Sequence, residues 1–198
     1  MGFFDDEPDL APPPAAEPAK ATRAVWLGPP EDVPGVFVPL DQVLARGENA
    51  VVLVVGARAY PNGCLVEARV AARREGLADD AWWEIHDGLF GAHRRRWKRD
   101  PSTESAPHFS LVLDATVVPA VGSAPEAEPA GPLLVCSPDG GTADSTVVDS
   151  HFQLWLHPLP RRDIGLRVEW GGAGVHVETT LPGEVLRAAG ERAQPYWP

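Results

Sequence analysis

The chain has 198 residues, 44% of them apolar, and a formal charge of −11; this is enough sequence to bury one domain's core without disulfides or metals. The charge opposes attraction to polyphosphate or to an anionic membrane surface, so neither nucleic acid nor membrane is the expected partner. Cys64 and Cys136 are too few for a disulfide framework or a thiolate zinc site, and no apolar run approaches the roughly eighteen residues of a membrane span.

In chain order, MGFFDDEPDL lacks the basic and apolar regions of a signal peptide, and Asp6 breaks the myristoylation pattern at Gly2. Together with the two cysteines this predicts a cytoplasmic protein. Residues 1–24 join an acidic cluster to a proline- and alanine-rich spacer that cannot build a core, and are expected to be a disordered tail. Residues 25–198 are expected to form one β domain. Its first strand is VFVPLDQVL, where Pro39 cannot donate to a ladder and predicts an edge.

AVVLVVGARAYPNGCLVEARVAAR follows. Asn62-Gly63 at the centre of a two-residue turn predicts a hairpin in which Arg58 faces Glu67, Tyr60 faces Leu65 and Val55 faces Val70. Val51, Leu53, Val55, Ala57 and Ala59 then share the buried face with Cys64, Val66, Ala68, Val70 and Ala72.

A short helix is predicted near 79–90, capped by Asp79 or Asp80, with Trp82, Ile85 and Leu89 on one face and Gly88 at its end. HFSLVLDATVV reads as one strand. Residues 119–149 read as a loose loop with a lone strand at 133–136. In HFQLWLHPL, Phe152, Leu154 and Leu156 point to one side, and His151, Gln153, Trp155 and His157 to the other.

IGLRVEWGGAGVHVETTL predicts a second hairpin with its loop at Gly171–Gly174. Trp170 faces Val175, Val168 faces Val177 and Ile164 faces Leu181, while Glu169 meets His176 and Arg167 meets Glu178. GEVLRAAGERA predicts a closing helix with Val185, Leu186 and Ala189 inward, after which Tyr196 and Trp197 fold over a sheet edge. Seven or so short strands without alternating helices predict a mostly β, immunoglobulin-like antiparallel sandwich.

WLGPPEDVPGVFVPLDQVLA, ARAYPNGCLVEARV and the stretch from FQLWLHPLP to the final WP carry a resemblance. They resemble a family of small, functionally uncharacterised proteins of high-GC Gram-positive bacteria, with a strand ending in PLP, an EW strand, a G-x-ET hairpin and a terminal WP. The resemblance implies a cytosolic β-rich domain and no activity. His157 stands in place of an aromatic, and RRD in place of a more proline-rich link.

Residues 82–101, WWEIHDGLFGAHRRRWKRDP, hold three tryptophans and five basic residues of the chain's 17. Tryptophan and arginine often dominate interfaces, which makes Trp82, Trp83, Arg94, Arg95, Arg96, Trp97 and Arg99 a candidate docking surface, extended by Trp155 on the outer strand face. The expected partner is an acidic protein surface or the chain's own DDEPD segment. The alternative use of the same stretch is structural, as a cover over an open end of the domain.

His86, Asp87 and His93 form a second candidate set, for a metal or a small-ligand pocket, although their spacing matches no closed zinc site. His151 and His157 lie about 20 Å apart along a strand, too far to share an ion. There is no G-x-S-x-G, P-loop or G-x-G-x-x-G motif, and no cofactor is implied. The reading is therefore an interaction module rather than an enzyme.

Overall fold

The computed structural model describes residues 23–94, 105–114 and 116–197, and for 90–94 the backbone alone. Residues 1–22 of the predicted tail lie outside the described residues, as do 95–104. The strands are β1 (Val36–Arg46), β2 (Ala50–Tyr60), β3 (Gly63–Arg73), β4 (His108–Leu113), β5 (Thr116–Pro119), β6 (Leu133–Ala143), β7 (Val147–His157), β8 (Ile164–Trp170) and β9 (Val175–Leu181). Two helices, α1 (Asp79–Arg94) and α2 (Gly183–Glu191), complete the elements, with a short 3-10 turn at Gly171–Ala173.

The strands form two antiparallel sheets, ordered β1-β2-β3-β7-β6 and β5-β4-β8-β9. Immunoglobulin domains send their third strand to the second sheet; here the first three lie side by side. One core takes Val52, Val66 and Leu154 from the first sheet and Leu111, Leu166 and Trp170 from the second, with Trp82 and Leu186 from the helices. β1 is an edge strand, as Pro39 predicts.

The β8–β9 hairpin has the predicted register throughout, from Ile164 opposite Leu181 to Trp170 opposite Val175, and Arg167 bonds Glu178 at 3.1 Å. The β2–β3 hairpin does not. Its turn is Pro61-Asn62, with Tyr60 opposite Gly63 and Arg58 opposite Leu65. Neither Asn62 nor Gly63 takes a positive φ, so the proline sets the turn from its favoured second position and glycine falls at the fourth.

A register shift between Val54 and Gly56 then moves the alternation by one residue. Ala50, Val52 and Val54 are consequently buried, and Val51, Leu53 and Val55 are half-buried on the outer face. Val70 meets Val52 rather than Val55. Gly56 accommodates the shift because a Cβ there would strike the Phe37 ring and, at 2.8 Å, the Val38 carbonyl oxygen. Ala57, Ala59 and the five predicted β3 residues are buried as expected.

HFSLVLDATVV is a hairpin rather than one strand: β4 turns into β5 at Asp114, whose φ is 53°, a conformation aspartate tolerates better than most residues. The predicted loop 119–149 contains the eleven-residue β6 and the start of β7. Asp144 makes their turn, its Oδ1 accepting from Thr146 N at 2.6 Å, Thr146 Oγ1 at 2.7 Å and Val147 N at 2.8 Å. Hydrogen bonding by the Thr146 hydroxyl and then by these amides holds the Asp144 carboxyl below its usual range.

Helix α1 runs past the predicted stop at Gly88. That glycine is a close-approach position, where a Cβ would collide with the Ser105 carbonyl. In α2, Leu186 and Ala189 are buried as predicted, but Val185 is 52% exposed. Tyr196 and Trp197 are exposed too, the segment being pinned through the Tyr196 amide to the Asp32 carbonyl at 2.8 Å.

Candidate functional site

Helix α1 begins with Asp79 and Asp80 in its first turn, where acidic groups complement the positive end of the helix dipole. Asp79 also pairs with Arg74 at 2.5 Å, and Asp80 Oδ1 accepts the Ala81 amide at 3.0 Å. Trp82, Ile85 and Leu89 recur at helical spacing and are all buried in the main core. Trp82 is fully buried (0%) and therefore presents nothing to a partner, a correction to its place in the predicted docking surface.

Trp83, one position on, is 44% exposed. Its ring lies edge-on to His86 at 5.0 Å between centroids, and Trp82 lies 5.8 Å from the same imidazole. His86 is thus flanked by two indoles, with Nδ1 3.3 Å from Asp87 Oδ1.

The far end of the helix is tied through Ser105. Its carbonyl sits against Gly88 and accepts the Trp170 indole N–H at 2.9 Å. The chain therefore departs at Arg94 and returns beside Gly88, six helical residues or about 9 Å away along the axis. Arg95, Arg96, Trp97 and Arg99 fall between these anchors and lie outside the described residues, as do the side chains of His93 and Arg94.

Trp155 is a second correction. It is 4% exposed, in a cluster with Tyr60, Leu133 and Val135 on the outer face of the first sheet. Residues 23–35 cover this part of the face: Trp155 Nε1 donates to Trp26 O at 3.0 Å, Trp26 Nε1 to Pro125 O at 3.1 Å, and Asn62 Nδ2 to Val25 O at 2.6 Å. Alternation places Trp155 correctly on the outer side but does not disclose that a distant segment lies over it.

Among the described residues no three His, Cys, Asp or Glu side chains gather as metal ligands. Cys64 and Cys136 are buried, and burial pushes both thiols up to about 12. They stay protonated at neutral pH and supply no thiolate.

α1 packs on β6, β7 and the 171–173 turn, while α2 packs on β1, β2 and β3 and meets Tyr60 and Arg162. The helices thus close opposite ends of the sheets. At the α2 end lies an open cleft of about 650 Å³, lined by Arg161, Arg162 and Arg187 among others and by neither His86 nor Asp87. The residues PLPRRD carried its signal, but the third arginine comes from a helix 25 positions later, a juxtaposition that spacing alone does not reveal.

These features define the protein by class: two antiparallel sheets around one core, closed at each end by a helix, with an aromatic corner at one end and a cationic cleft at the other. No family model, curated protein or solved structure matches the chain.

Proposed function

We propose that the protein is a cytoplasmic interaction module, a β-sandwich whose partner docks on the outer side of α1 and the basic run that follows it, and that it belongs with the small high-GC Gram-positive proteins it resembles. The observation that carries this reading is Trp83, a large indole left 44% exposed on a helix whose other face is seated in the core. A partly exposed tryptophan held in place by neighbouring rings presents apolar area at little ordering cost.

The sequence after Arg94 adds positive charge at the other end of α1, about 16 Å along the axis from this indole, where the negative end of the helix dipole favours cations. An acidic protein surface carrying an apolar contact for the indole matches both features. The chain's own Asp5, Asp6, Glu7 and Asp9 have the same chemistry and would compete for the site. No helix among the described residues is long and apolar enough to cross a membrane.

The test is affinity capture from the native cell with wild type, Trp83→Ala, Arg94/Arg95/Arg96→Glu, and a chain lacking residues 1–18. Trp83→Ala and the triple variant should lose the same proteins without loss of fold, and the truncation should retain more of them. Undiminished capture by both variants would refute the reading.

A further inference from the structure

The cleft at the α2 end belongs to none of this. Its floor is apolar, from Leu113, Leu156, Leu159 and Ile164, and its rim carries Arg161, Arg162 and Arg187 against Glu191 and, beside Arg162, Asp114. In a chain with a formal charge of −11, three guanidiniums against the Asp114 and Glu191 carboxylates leave a cationic excess at this concavity. Such a rim concentrates anions that the rest of the surface repels.

We propose that this cleft binds a small amphipathic anion, its apolar body on the leucine and isoleucine floor and its carboxylate or phosphate head among Arg161, Arg162 and Arg187. Size decides for a small molecule: about 650 Å³ falls within the roughly 300–1,000 Å³ typical of ligand sites, which combine apolar walls with a few polar groups. Planar guanidinium is the group best suited to a carboxylate or phosphate head, because its parallel N–H bonds match two oxygens.

The site is also built before any ligand arrives. Pro61, Pro132, Pro158 and Pro160 stand in its walls, each with a fixed φ, so little backbone freedom remains to be lost on binding. The loop bearing the two adjacent arginines is clamped to α2: the Gly183 amide donates to Asp163 Oδ1 at 2.9 Å, and Gly183 lies against the Arg162 carbonyl. This contact turns the one acid of the PRRD sequence toward the helix start instead of the arginines.

Two arginines already have partners, Arg162 with Asp114 at 2.6 Å and Arg187 with Glu191 at 2.5 Å. These pairs are solvent-exposed and so worth little. They position the guanidiniums and leave further N–H groups to donate.

The test uses the full chain titrated with octanoate, octyl phosphate, octylamine and inorganic phosphate, followed by calorimetry and amide chemical shifts. Octanoate or octyl phosphate should saturate one site, with shifts centred on 156–164 and 187–191, and whichever binds more tightly identifies the head. Octylamine and inorganic phosphate should bind at least about tenfold more weakly, since each lacks one half of the recognition. Arg161→Glu with Arg187→Glu should weaken the alkyl anion by at least about tenfold, whereas Arg192→Glu, exposed at the C-cap of the same helix and outside the cleft, should leave it unchanged. No saturable binding, equal binding of octylamine and octanoate, inorganic phosphate as tight as octyl phosphate, or shifts centred elsewhere would each overturn the proposal.

Discussion

The two helices do the same job by opposite means. α1 fills its end of the sheets with volume, burying Trp82, Ile85 and Leu89, whereas α2 gains its seat by close approach. α2 buries Leu186 and Ala189 with two glycines, and a Cβ on Gly190 would stand 2.6 Å from the Tyr60 carbonyl oxygen. Apart from the close approach of Gly88 to Ser105 on α1, one end should therefore be sensitive to what is removed and the other to what is added.

The largest effect is expected at the volume-packed end. Trp82→Ala should cost about 3–5 kcal/mol in denaturant unfolding, because a fully buried indole leaves a cavity that the sheets cannot close. Gly190→Val should cost about 1–3 kcal/mol or more by forcing α2 off Tyr60. If Gly190→Val is neutral, α2 is not held by close approach and the contrast fails.

Strong acid should weaken the turn between β6 and β7 at the α1 end. The Asp144 carboxyl is held below its usual range by hydrogen bonds from Thr146 and Val147. Its contribution is thus complete above the ordinary value of 3.8 and is lost as pH falls through the depressed folded value. The stability difference between wild type and Asp144→Ala should be constant near neutrality and shrink only in that acid range, as pH-dependent unfolding would show.

Thiol labelling gives a smaller, binary readout. Cys64 and Cys136, pushed up to about 12 by burial, should be silent to a disulfide reagent at pH 8 and react only as the chain unfolds. The smallest effect belongs to the exposed residues: Trp83→Ala and Val185→Ala should each change stability by less than about 1 kcal/mol, leaving binding as the property that separates them.

What the sequence disclosed depended on whether a local pattern had one physical reading. The β8–β9 register was legible because Arg167–Glu178 and Glu169–His176 fall opposite each other only when the apolar residues also do. In β2, proline and asparagine-glycine offered two turn positions, and the proline's fixed φ prevailed. Gly56 was the visible mark of the bulge, but its reason lies in Phe37 on the neighbouring strand.

β6 was obscured because SPDGGTA has a loop's composition while serving as a bulged strand whose register shifts between Pro138 and Gly141. The inward face of α1 could be read from spacing alone. The burial of Trp155 could not, since it requires the 23–35 segment to cross over it from 129 positions away.

Placing a photo-crosslinking phenylalanine at position 83, and separately at position 185, tests the functional account most directly. Both sites are exposed apolar positions on short helices, 44% and 52% in the native residues, so reactivity toward passing proteins is matched. The account predicts that illumination in the native cell gives a discrete protein adduct from position 83 and none from position 185. Equal adducts from both, or none from position 83, would contradict it.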